Sequence, residues 1–222
     1  MRNPQHVLFD LDGTLIDSVP DIAQAVNGML SEFARPVETE ERIRSWVGRG
    51  LNVLIHRSLT GGKDQSDDEV LHAKAVASFR KHYEHCCTQR TRAFDGAVEL
   101  LAWLRHRGIG VAVVTNKPTS FAIRIVQALE LPVDVVVGAD PHRPLKPDPA
   151  ALYEAVKQLG GGTAWMVGDT IFDLEAARAA SMPFVGVQLE GDTGRKIEIL
   201  TSPEEPVFES YGAMLKWLQD GA

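Results

Sequence analysis

The sequence predicts an α/β fold: a doubly wound domain with a parallel sheet, interrupted near its start by a helical module. Three observations carry this prediction. Short β-branched runs alternate with amphipathic helical patterns before and after the interruption, and such alternation builds right-handed βαβ units. The runs are continuously apolar rather than alternating, as in strands covered on both faces. From about Pro20 to Thr88 the texture changes to helix after helix. The expected division is residues 1–17 and 89–222 for the α/β domain and 18–88 for the helical module.

The expected strands are His6-Val7-Leu8-Phe9, Val111-Ala112-Val113-Val114, Val133-Asp134-Val135-Val136-Val137, Ala164-Trp165-Met166-Val167 and Phe184-Val185-Gly186-Val187. Between them, Ala97 to Arg107 carries Leu100, Leu101 and Leu104, with Gly108 placed as a C-terminal cap. Pro118 to Leu129 carries Phe121, Ile125 and Leu129 at helical spacing. Pro149 to Leu159 carries Leu152, Val156 and Leu159, and Thr170 is a cap for a helix bearing Leu174 and Ala177. In the module, one stripe is Ile22, Val26, Leu30 and Phe33. A second is Ile43, Trp46 and Val47 after Thr39, and a third is Leu51, Leu54 and Ile55. Ser66-Asp67-Asp68-Glu69 reads as a capping box opening a fourth helix with Leu71, Ala75, Phe79 and Tyr83.

Composition narrows the function classes. The 222 residues are 44% hydrophobic and 24% charged, which is globular usage. With 23 basic and 30 acidic residues the formal charge is −7. That balance argues against a nucleic-acid partner, which selects a basic face, and against docking on an anionic membrane. The two cysteines, Cys86 and Cys87, are adjacent, a spacing that suits neither a disulfide scaffold nor a structural zinc site. The N-terminal residues lack the apolar stretch of a signal peptide, and no run approaches the roughly 20 apolar residues of a membrane span. A cytoplasmic protein, monomeric or homodimeric, is the default expectation.

The chemistry-bearing residues sit at the ends of expected strands, where open α/β sheets place ligands. The first strand runs into Asp10-Leu11-Asp12-Gly13-Thr14. Strand alternation lets Asp10 and Asp12 point the same way, and Gly13 lets the backbone turn at once. A second acidic pair follows another apolar run, in Gly168-Asp169-Thr170-Ile171-Phe172-Asp173. Carboxylates converging there repel unless a cation relieves them, and a hard divalent ion, Mg²⁺, suits an all-oxygen site. Two other strand ends have the opposite character. Thr115-Asn116 precedes Lys117-Pro118 and a helix start, an anion cradle. Lys146, kept out of helix by Pro147, brings an ammonium into a loop. Taken singly these are turn and cap residues. Carboxylates, metal, lysine and hydroxyl together describe a site for a phosphoryl group.

With those four motifs in this order, the sequence resembles the haloacid dehalogenase superfamily of phosphotransferases over nearly its whole length. The resemblance implies a Rossmann-like core, with the helical insert as an α-helical cap, and a mechanism. Asp10 would attack phosphorus and form an aspartyl-phosphate. Asp12 would protonate the leaving alkoxide and then activate water. Mg²⁺ would be held by Asp10, the Asp12 carbonyl and Asp169, with Asp173 in or near its outer shell. Thr115, Asn116 and Lys146 would hold the phosphoryl oxygens. The acid at Asp12 separates phosphatases from the dehalogenase branch.

Within the superfamily, Asp17-Ser18, Trp46-Val47-Gly48-Arg49-Gly50-Leu51 and Val114-Thr115-Asn116-Lys117-Pro118 resemble the phosphoglycolate phosphatase group. That implies hydrolysis of a small phosphorylated metabolite, 2-phosphoglycolate first. Arg49 and Gly50 are placed at the substrate, with Arg49 meeting a carboxylate bidentately. The sequence departs from the group at Leu189-Glu190-Gly191-Asp192-Thr193-Gly194, which is more acidic, and at Ser181-Met182-Pro183. Alternative readings are a phosphatase for a sugar-acid phosphate such as N-acetylmuramic acid 6-phosphate, a phosphosugar mutase, and a catalytically silent phosphate-binding protein. Pro20 and Ala93-Phe94-Asp95-Gly96 are the expected hinge regions of the cap.

Overall fold

The structure is a computed structural model that describes residues 4–65, 68–189, 202 and 205–220. Its spine is a six-stranded parallel sheet. In chain order the strands are β1 (His6–Phe9), β4 (Gly110–Pro118), β5 (Val135–Ala139), β6 (Ala164–Gly168), β7 (Phe184–Val187) and β8 (Val207–Phe208). The spatial order is β5-β4-β1-β6-β7-β8. The chain therefore leaves β1 first toward β4 and β5, then returns to its other side for β6 to β8. This reversal beside β1 is the topological switch point, and it opens a crevice at the carboxyl ends of the strands.

The continuous apolar runs are explained by burial on both faces. Val7, Phe9, Val111 and Val113 join one core cluster, while Leu8, Ala112, Val114 and Met166 join a second on the opposite face. The first face is covered by α5 (Ala97–His106) and α6 (Thr119–Ala128), with α9 (Tyr211–Gln219). The second is covered by α7 (Ala150–Gln158) and α8 (Ile171–Ala179). Two strand starts differ from expectation, β4 beginning one residue early at Gly110 and β5 two residues late. Val133 precedes β5, which begins two residues later; at Asp134 the amide donates to the Val111 carbonyl at 2.8 Å, but the Val111 amide is taken by the Asp134 carboxylate at 2.9 Å, which also pairs with Arg105 at 2.8 Å.

The helical segment lies between two short strands, β2 (Ile16–Asp17) and β3 (Arg92–Ala93), which pair antiparallel. It contains α1 (Val19–Glu32), α2 (Glu40–Arg44), α3 (Leu51–Thr60) and α4 (Glu69–Cys86). Thr39 caps α2 as expected. The N-cap of α4 is Asp68, whose carboxylate accepts the Leu71 amide at 2.8 Å. Ser66 and Asp67 lie outside the described residues, as do Glu190 to Gly194 of the acidic departure. Where the chain enters and leaves this segment it is tied by fully buried Asp21, which accepts from the amides of Arg90 and Thr91 and from the Thr91 hydroxyl. Cys86 and Cys87 are free thiols buried at the end of α4. Among the described residues no helix is long and apolar enough to cross a membrane.

Candidate active site

The crevice at the switch point gathers residues from three strand ends and one loop. Asp10 follows β1 and is held there by its amide, which donates to the Val167 carbonyl at 2.9 Å. Gly13 turns the chain with a φ of +89°, and a Cβ at this position would lie 2.5 Å from Asp169 Oδ2. Glycine is thus required both by conformation and by the close approach of the loop to Asp169. Thr14 donates to Asp169 Oδ1 at 2.7 Å. The Tyr211 hydroxyl of α9 donates in turn to the Thr14 carbonyl at 2.7 Å, so the C-terminal helix buttresses the loop.

Lys146 enters from the loop before α7 and is 4% exposed. Its Nζ lies 2.9 Å from Asp10 Oδ1 and donates to Asp173 Oδ1 at 2.6 Å and to the Val114 carbonyl at 2.7 Å. Asp173 uses its other oxygen to close the capping box of α8, accepting from the Thr170 amide at 3.0 Å and hydroxyl at 2.6 Å. One acid therefore fixes a helix start and a lysine at once. Gly168 permits this, since a Cβ there would meet the Asp173 Cβ at 2.4 Å. Asp12 is held separately, by the Ser18 hydroxyl and by Lys117, whose ammonium reaches both its oxygens at 2.8 and 3.0 Å.

The charge balance is unequal. Four carboxylates (Asp10, Asp12, Asp169 and Asp173) share the crevice with the ammoniums of Lys117 and Lys146. Burial pushes the Asp10 carboxyl up to about 6, with Asp173 and Asp12 adding to the rise and Lys146 opposing it. Burial works against the charge on Lys146, but Asp10 and Asp173 outweigh it and hold the ammonium above the usual lysine range. Asp12 and Tyr83 do the same for Lys117. Asp10 Oδ1 is buried with the Lys146 ammonium 2.9 Å away. Asp10, Asp169 and Asp173 each offer a ligand atom within 4.8 Å of the others. An all-oxygen donor set with two negative charges in excess fits a hard divalent cation.

A cavity opens above Asp10 and Asp12, floored by Thr115, Asn116 and Lys117 and roofed by Val47, Leu51, Leu54 and Phe79 of the helical segment. Thr115 and Asn116 are both buried at this floor. Gly48 and Gly50 line this cavity, but Arg49 between them turns away. Its guanidinium pairs with Asp64, which also binds Arg57 at 2.6 Å, and lies 5.7 Å from the centre of the Phe172 ring.

Comparison with known proteins agrees with this arrangement. A family model described as haloacid dehalogenase-like hydrolase matches residues 4–181. The chain belongs to that family. Among haloacid dehalogenase-like hydrolases, the phosphoglycolate phosphatase of Pseudomonas putida is 41% identical over 227 aligned residues, spanning 99% of this chain and 81% of the relative. A phosphoglycolate phosphatase of Nitrosococcus oceani is 33% identical over 214 residues, spanning 95% and 94%. The crystal structure of a predicted phosphoglycolate phosphatase from Haemophilus somnus superposes with a TM-score of 0.84 at 28% identity, covering 99% of this chain and 100% of the other.

Three site features of this hydrolase are not evident from sequence. Lys117 stands in the Thr-Asn-Lys-Pro run of the cradle, but nothing local pairs it with Asp12. Ser18 lies at a helix start, where hydroxyls are ordinary caps. Tyr211 belongs to α9, which carries no neighbouring motif.

Proposed function

We propose that this chain is a Mg²⁺-dependent phosphatase that hydrolyses a small phosphomonoester, 2-phosphoglycolate first, through an aspartyl-phosphate on Asp10. The observation that carries this reading is the convergence of Asp10, Asp169, Asp173 and Lys146 at one crevice. Asp10, the Asp12 carbonyl and Asp169 would hold the ion, with Asp173 behind them, because both Asp173 oxygens are already engaged by Lys146 and Thr170. When bound, Mg²⁺ neutralises the excess carboxylate charge and draws charge off the phosphoryl oxygens.

The remaining roles belong to side chains. Asp10 supplies the attacking oxygen, so it acts as a carboxylate. Lys146 and the Thr115 hydroxyl bind phosphoryl oxygens, and the lysine offsets negative charge as the leaving bond breaks. Asp12 gives a proton to the departing alkoxide and takes one from water in the second step. Lys117 and Ser18 keep its carboxylate in one orientation through that exchange. Residues 18–88 act as a cap whose apolar residues exclude water from the chamber. The reaction is placed in the cytoplasm, on soluble phosphorylated metabolites.

A sugar-acid phosphate is the second reading. It is favoured by the apolar chamber roof, which suits an organic group larger than that of glycolate. Release of inorganic phosphate from 2-phosphoglycolate and from N-acetylmuramic acid 6-phosphate, each with Mg²⁺ and with EDTA, tests both. Release from neither substrate refutes both specificities, and EDTA-insensitive release refutes the metal role.

A further inference from the structure

We propose that Asn116 is a positioning residue that latches the 48–50 loop of the helical segment onto Lys146, so that the loop must be seated for the lysine to be correctly placed. Asn116 is 5% exposed. Its Nδ2 donates to the Gly48 carbonyl at 3.2 Å and to the Lys146 carbonyl at 3.1 Å, and its Oδ1 accepts from the Lys146 amide at 2.8 Å. A carboxamide has two donor hydrogens, and both are in use. The side chain therefore has no donor left for a phosphoryl oxygen in this arrangement. Instead it brackets the Lys146 backbone from both sides while the Lys146 ammonium faces Asp10 and Asp173.

The loop presses on the same place by a second contact. Gly50 has a φ of +85°, and a Cβ there would lie 2.7 Å from Cδ1 of Leu145, the residue before Lys146. Two independent contacts thus join the loop to the Leu145–Lys146 stretch, one polar through Asn116 and one apolar through Leu145. Displacing the loop removes an acceptor from the Asn116 amide and a neighbour from the partly exposed Leu145 together. What seating achieves in turnover rests on the phosphatase reading; the latch itself rests on these contacts alone.

Hydrogen exchange of the free protein tests it without requiring turnover. The reporters are the peptide spanning 48–54 and the Lys146 amide, whose acceptor is Asn116 Oδ1. Asn116→Asp is isosteric and keeps that acceptor but loses both donors. It is expected to speed exchange in 48–54 about fivefold, the weight of one net hydrogen bond. Gly50→Ala disturbs the loop with Asn116 intact, and it is expected to speed exchange at the Lys146 amide by a similar factor. In steady state Gly50→Ala should lower kcat more than it raises KM, with inhibition by inorganic phosphate within about twofold of the parent, while Asn116→Asp, which adds a charge beside the site, is read by exchange. Unchanged exchange in 48–54 for Asn116→Asp overturns the latch, as does unchanged Lys146 exchange in Gly50→Ala. If Asn116→Asp does not fold, the Gly50→Ala result alone decides. A parent protein that releases no phosphate from any phosphomonoester would overturn the phosphatase reading, while the exchange rates would still decide the latch.

Discussion

Replacing Asp10 with asparagine should abolish turnover and, in metal-free buffer, make the protein more stable. Burial holds the Asp10 carboxyl up at about 6, against an ordinary value of 3.8. Between those values the folded state binds a proton more tightly than the unfolded chain does. Stability therefore falls as pH rises through this window, and the cost is complete above about 6. Roughly two pH units at about 1.4 kcal/mol each set that cost at about 3 kcal/mol. Asparagine mimics the protonated side chain, and Lys146 retains Asp173 and the Val114 carbonyl. For a domain of this size about 3 kcal/mol corresponds to a rise in Tm of roughly 6–12 °C. Thermal unfolding in EDTA at pH 7.5 measures it, and repeating the scan at pH 4 should shrink the gap toward zero. Added Mg²⁺ should raise the Tm of the parent more than that of the variant, since the parent alone offers the ionised ligand. An Asp10→Asn protein no more stable than its parent at pH 7.5 would refute the reasoning that this buried charge awaits a cation.

Further consequences follow from the neighbouring residues. Lys146→Ala leaves Asp10 and Asp173 buried without their ammonium, which should cost about 3–5 kcal/mol in unfolding experiments and lower kcat about 10²–10³-fold in phosphate-release assays. Lys117→Met frees the Asp12 carboxylate and should reduce kcat by about 10²-fold or more, while Mg²⁺ affinity by calorimetry stays close to the parent value. Asp21→Ala orphans the Arg90 and Thr91 amides at the neck between β2 and β3, which should destabilise the fold by about 3 kcal/mol on denaturant unfolding without changing the identity of the substrate.

Much of the fold is legible in the sequence because its strands are buried on both faces. His6–Phe9 and Phe184–Val187 are four-residue apolar runs, and the structure returns them with the same bounds. The acids are legible because each follows such a run directly. Asp10 and Asp169 could only emerge at strand ends, and Gly13 and Gly168 mark where backbone and side chain must come close. Long-range side-chain partnerships are not legible. Asn116 reads as a phosphate ligand because its amide chemistry suits one, whereas its partners lie 68 and 30 residues away in the chain. Arg49 reads as a carboxylate receptor, but nothing in its local sequence announces Asp64 or the Phe172 ring. The strands β2 and β3 are two residues each, too short for any period, and their pairing is stabilised by Asp21 from inside a helix.

The most direct measurement is a crystal structure of the protein soaked with Mg²⁺ and beryllium trifluoride, a mimic of a phosphoryl group on a carboxylate. The account predicts density for the fluoride adduct joined to an Asp10 oxygen, with Lys146 against it and one ion shared by Asp10 and Asp169. An adduct on another side chain, or an ion bound away from these acids, would contradict it.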